Sequence, residues 1–147
     1  MLSPDTSTVS WRVSPNLTWL KVGGAAAFGL ATLVVFGDPV RLALSGLAAL
    51  VLGGYALRDL LAPVRLAADS GGVTVVHGFA GHRLLPWAEI ERIRVDERRR
   101  LGAATQLLEI DTSESLYLFS RAELNASCAE VVAALELLRA RTVASNA

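Results

Sequence analysis

The sequence predicts an α+β protein: a two-helix transmembrane hairpin, then an antiparallel β half-barrel of about six strands closed by a C-terminal helix. Three observations carry this. Two apolar runs between residues 17 and 61 are separated only by a tight Gly37-Asp38-Pro39 turn. Short stretches of period-two alternation recur from Val64 to Phe119. Finally, Ser127 and Glu130 make a capping box ahead of an apolar stripe at helical spacing.

The hairpin comes first in the chain. No charged residue occurs from Val22 to Gly37, or again from Leu42 to Leu57. Each run is about 16 residues, or about 24 Å of helix, against roughly 30 Å of hydrocarbon. The flanks supply the rest, giving spans of about 17–36 and 41–61 within a hairpin at 17–62. Leu17, Trp19 and Leu20 extend the first run, and Leu60 and Leu61 extend the second. Lys21 and Arg58 can snorkel to the headgroups, with Trp19 as an interfacial anchor. So small a chain cannot wrap two helices that are apolar all round, which disfavours a buried helical pair. A barely basic leader and an immediate second run disfavour a cleaved signal peptide.

Cationic residues set the expected orientation. Arg12 and Lys21 precede the first span, Arg58 and Arg65 follow the second, and Arg41 stands alone beside the turn. Both termini and the C-terminal domain are therefore expected on the cytoplasmic side of the membrane. Folding back at Pro39 sets Ala25 level with Gly53 and Gly29 level with Ala49, small residues that let the helices approach closely. Neither span carries an ionisable residue in its middle, which argues against an ion path or a transporter.

Composition fits one anchor and one domain. The chain has 147 residues, is 52% hydrophobic and is formally neutral. After residue 62 there are ten arginines against eleven acidic residues, so no polybasic nucleic-acid binder is present. Arginine outnumbers lysine thirteen to one, a bias of high-GC bacterial genomes. A single cysteine excludes an internal disulfide. Residues 1–16 are polar without an apolar period and are expected to be a mobile tail, and residues 142–147 a disordered C-terminus.

The domain, at 63–141, reads as strands and a closing helix. Val64 to Ala68 begins it, and Asp69-Ser70-Gly71-Gly72 turns the chain. Val73 to His77 alternates, Gly78 to Gly81 turns again, and His82 to Trp87 returns. Ile93 and Val95 point inward against Arg92 and Arg94, ahead of an expected exposed loop, Arg98-Arg99-Arg100-Leu101-Gly102. Two further strands hold Leu108 with Ile110, and Leu116 with Leu118. Val75, Ile93, Ile110, Leu118 and Leu135 are the expected core.

The order of short hairpins, then Leu85-Pro86-Trp87-Ala88-Glu89-Ile90-Glu91-Arg92-Ile93, then two strands and a helix, resembles the bacterial pleckstrin-homology (PH) domain. More narrowly, it resembles the small membrane-anchored form with two N-terminal spans. The resemblance covers roughly residues 17–141. It implies that Trp87 and Ile90 pack under the sheet beside Pro86, and it brings no catalytic residue.

Candidate chemistry is sparse. His77 and His82 lack a third ligand for a metal site. Cys128 lies on the helix's apolar stripe without a base, and the acidic residues show no catalytic spacing, so no enzyme and no cofactor is expected. The surviving polar feature is Arg92, Arg94, Arg98, Arg99 and Arg100, a candidate contact for lipid or a partner. Glu91, Asp96 and Glu97 nearby favour a solvated hairpin there. The leading expectation is a non-enzymatic accessory or scaffold protein whose domain docks on a membrane protein complex. The alternative is a module that binds anionic lipid through the arginines. Membrane lipids around the hairpin and one protein partner are the expected associates.

Overall fold

The computed structural model describes residues 8–35 and 37–147. Residues 1–7 of the expected tail, Phe36 at the end of the first expected span, and the Arg100 side chain lie outside the described residues. In chain order the elements are β1 (Val9–Arg12), α1 (Pro15–Val34), α2 (Pro39–Leu61), β2 (Val64–Asp69), β3 (Gly72–His77) and β4 (Gly81–Pro86). They continue with β5 (Ile90–Arg100), β6 (Ala103–Thr112), β7 (Leu116–Ser120), α3 (Arg121–Leu124) and α4 (Cys128–Ser145). Two compact units result, one from Val13–Pro63 and the other from β1 with Val64–Ala147.

In the helical unit each helix opens on a proline, whose missing N–H costs nothing in a first turn. Asp38 caps α2, its side chain accepting from the backbone N–H groups of Val40 and Arg41. Both helices are long and apolar enough to cross a membrane. They pack antiparallel, with small and polar groups between them. A Cβ built on Gly53 would meet the Ala25 Cβ at 4.0 Å, and Thr32 Oγ1 donates to Ser45 Oγ at 3.1 Å. Leucines point the other way, with Leu50 75% exposed. At the base, Val13 N–H donates to Pro63 O at 2.9 Å.

The second unit is a sandwich of two antiparallel sheets, β1-β2-β3-β4 and β5-β6-β7. Leu66, Val73, Val75 and Leu85 from the first sheet meet Ile93, Leu108, Ile110 and Phe119 from the second. The amphipathic helix α4 adds Cys128, Val131 and Leu135 to that core. Arg139 fixes its far end by donating to Ile90 O at 2.9 Å. Capping boxes start both short and long helices, Ser120 with Glu123 and Ser127 with Glu130.

The elements differ from expectation in four places. Val9–Arg12 is a strand and not part of a tail: it pairs with β2, Trp11 opposite Leu66, and Trp11 packs against the core. The sheet edge supplies the pairing that a polar leader lacks by itself. Helix α4 runs on to Ser145, with Thr142 Oγ1 bonded to Leu138 O, so residues 142–145 are not disordered. Arg98, Arg99 and Arg100 lie in β5 and not in a loop, because the turn shrinks to Leu101-Gly102. Leu118 is exposed while Phe119 is buried opposite Leu108, the reverse of the expected phase. Four consecutive apolar residues, Leu116 to Phe119, gave the alternation no fixed phase.

Because Arg12 pairs with Val64, the helices are an insertion between two adjacent strands. Replacing residues 13–63 with Asn-Gly is expected to join β1 and β2 as an ordinary hairpin. The resulting chain should melt cooperatively in detergent-free buffer, and clearly above a 64–147 chain without β1. Equal melting temperatures in circular dichroism would remove β1 from the fold.

Candidate functional site

The β5–β6 hairpin carries the arginines. Its register runs without a break from Arg92 opposite Asp111 to Arg100 opposite Ala103. Leu101 and Gly102 close it with φ of 51° and 83°, both positive as a type I′ turn requires. Strand alternation then puts Arg92, Arg94, Asp96 and Arg98 on one face and Arg99 on the other. The structure therefore divides Arg92, Arg94, Arg98 and Arg99 along the hairpin and between its faces.

Near the base the charges are matched. Arg94 Nε donates to Glu109 Oε2, whose side chain is only 4% exposed. That hydrogen bond holds the Arg94 guanidinium above its usual range. Arg98 Nε donates to Asp96 Oδ2 at 2.6 Å, with the same effect on Arg98. Cross-strand pairs of opposite charge stabilise a sheet. Removing Arg94 would leave a buried carboxylate without this partner. Arg94→Ala is accordingly expected to lower the midpoint of denaturant unfolding. Arg94→Ala with Glu109→Leu should recover most of the loss. No recovery in the double variant would refute the pairing.

Beyond Glu97 the pattern changes. From Arg98 to Gln106 the hairpin holds three arginines, an apolar tip and no acid. Asp96, Glu97, Glu109 and Asp111 all stand toward the base. Arg99 is exposed opposite Ala104, and Leu101 is wholly exposed.

The other expected residues fall elsewhere. Pro86 ends β4, and Glu89 N–H donates to Pro86 O in the turn that follows. Trp87 and Ile90 are buried, with Trp87 Nε1 donating to Asp69 O at 3.0 Å. Between the helices, Ala25 faces Gly53, whereas a Cβ on Gly29 would touch nothing within 4 Å; Ala49 is half-buried. His77 and His82 are both exposed, and Cys128 is buried. Burial pushes the Cys128 thiol upward. Sequence reasoning missed Asp59, which is buried and paired with Lys21 at the helical base. An acid near the end of an apolar run, with a cation near the start of its neighbour, was the available signal. It also missed Leu101, whose signal is a leucine before glycine where a turn favours asparagine.

Four- and three-stranded sheets closed by a C-terminal helix define a PH-like α+β domain. A family model described as bacterial PH domain matches residues 63–141, and the chain belongs to that family. Two proteins from two strains of Mycobacterium tuberculosis, each named as an uncharacterized protein, are similar to it. Each is 35% identical over 113 residues, covering 76% of this chain and 79% of its own. No solved structure matches the chain.

Proposed function

We propose that this is a non-enzymatic, membrane-anchored interaction protein of a bacterial plasma membrane, an accessory or scaffold component of a membrane protein complex. The observation that carries the anchoring is the inside-out helical hairpin. Its small and polar residues meet between the helices while leucines such as Leu30, Leu33, Leu47 and Leu50 face outward. That arrangement suits lipid and is costly in water. Strand pairing adds a constraint. β1 and β2 lie on either side of the helices and bond to each other, so an odd number of crossings would put a bilayer between them. Two crossings keep them together, and the cations at Arg12, Lys21, Arg58 and Arg65 favour the cytoplasmic face.

The partner's place is the edge of the three-stranded sheet. β7 has β6 on one side only, and its Leu116 and Leu118 face outward. An edge strand with apolar outward residues can accept an added strand. Purification of the tagged chain in mild detergent should yield a stoichiometric protein, lost from the Leu116→Lys, Leu118→Lys double variant. Recovery of lipid alone, or a partner indifferent to the double variant, would count against this edge. The acid-free end of the β5–β6 hairpin supports a second contact, with anionic lipid.

A further inference from the structure

We propose that the tip of the β5–β6 hairpin is a lipid-seated wedge: Leu101 enters the headgroup region of an anionic bilayer while the cationic end of β5, with Arg99 exposed on it, meets the phosphates. The inference rests on the membrane-anchored reading and adds a second contact to it.

Leu101 is the first argument. It is wholly exposed and left-handed, at φ 51°. A left-handed conformation is strained for a residue with a Cβ, and asparagine or glycine would fit this turn better. Neither packing nor turn geometry accounts for the leucine. Transfer of its side chain from water to an apolar phase does, since removing so much apolar surface from water is favourable.

Charge is the second. The acids near this sequence would cancel the arginines if the segment were a compact loop. In an extended strand the last acid, Glu97, stays two residues short of Arg99 on the same face, about 7 Å toward the base, and none lies nearer the tip. Arg98 is engaged by Asp96, but Arg99 is exposed opposite an alanine, with no acid between Arg98 and Gln106. The end of the hairpin is thus cationic around an apolar point, the complement of an anionic interface. Ala103 and Ala104 on the returning strand add neither charge nor bulk.

The test uses the full chain, Cys128→Ser, with a fluorescent probe on Ala103→Cys, reconstituted into vesicles. Resistance to carbonate extraction first establishes integration; failure there counts against the anchoring. In integrated protein, lipids carrying a nitroxide at the headgroup end of the chain should quench the probe in phosphatidylglycerol vesicles. Phosphatidylcholine vesicles should give little quenching. Arg99→Ser with Arg100→Ser should reduce occupancy of the seated state by about fivefold per arginine. Leu101→Asn, which suits the turn, should also reduce quenching without lowering the melting temperature. A probe at Ser113 should stay unquenched. Integrated protein whose Ala103 probe is unquenched in anionic vesicles overturns the proposal. So does shielding seen in native membranes but not in protein-free vesicles of the same lipids, which would assign the tip to a protein.

Discussion

Replacing Trp87 with alanine is expected to cost the domain about 3–5 kcal/mol, most of the stability of so small a core. The indole is buried with Leu66, Val73, Leu85 and Ile90 in one apolar cluster. It fills the corner where β4 turns into β5, so its loss opens a cavity between the two sheets. The Nε1–H bond to Asp69 O goes as well, and with it a tie between that corner and the β2–β3 turn. Trp87→Phe should keep much of the packing and lose the bond, at a cost of about 1–2 kcal/mol. The buried Cys128 thiol provides the readout. Alkylation proceeds only when the domain opens, so its rate in the full chain tracks the opening free energy. Trp87→Ala should speed it by roughly two to four orders of magnitude. An unchanged rate would take Trp87 out of the core.

Gly72→Ala is expected to be comparably damaging, at about 3 kcal/mol or more. Gly72 begins β3 with φ of 152°, in a region that side chains avoid. A Cβ there would sit 2.2 Å from Leu85 O and 2.9 Å from the Pro86 Cα. Those atoms belong to the neighbouring strand and cannot yield without breaking the β3–β4 ladder. Gly71 supplies the contrast. A Cβ at that position would meet only the Asp69 carboxylate, at 3.2 Å, a side chain end held by one hydrogen bond from Gly71 N–H and able to give by a few tenths of an ångström. Gly71→Ala should therefore change the thiol-labelling rate by well under tenfold, while Gly72→Ala should change it a hundredfold or more. Equal effects at the two positions would mean that the close approach of β3 and β4 is wrong.

Local pattern carried much of this fold and distance hid the rest. The two apolar runs, the turn at Gly37-Asp38-Pro39 and the Ser127–Glu130 capping box are all written within a few residues, and each appears where the sequence puts it. β1 was different. Val9-Ser10-Trp11-Arg12 does alternate, but four residues in a polar leader are too few to stand out. Their partners at Val64–Ala68 lie beyond the whole hairpin. In β7 every residue from Leu116 to Phe119 is apolar, so only pairing with β6 could fix which face turns inward. The arginines suffered the opposite fate. A strand exposed on both faces shows no alternation in polarity, so Arg98–Arg100 read as a loop. In the strand Arg98 stays bonded to Asp96, while Arg99 stands toward the acid-free end of the hairpin and makes that end cationic. The left-handed conformation of Leu101 is a backbone angle, which no residue spacing encodes.

We propose a membrane hairpin inserted between two paired strands, with the domain on the cytoplasmic face. Two single-cysteine chains test it, both on a Cys128→Ser background: Val40→Cys in the first turn of α2 and Ala133→Cys on the exposed side of α4. Intact spheroplasts are treated with a membrane-impermeant maleimide, and the same treatment is repeated after lysis. The expected result is labelling at position 40 in both conditions and at position 133 only after lysis. Labelling at 133 but not at 40 in intact spheroplasts would contradict the orientation, and recovery of both chains in the soluble fraction would contradict the anchor itself.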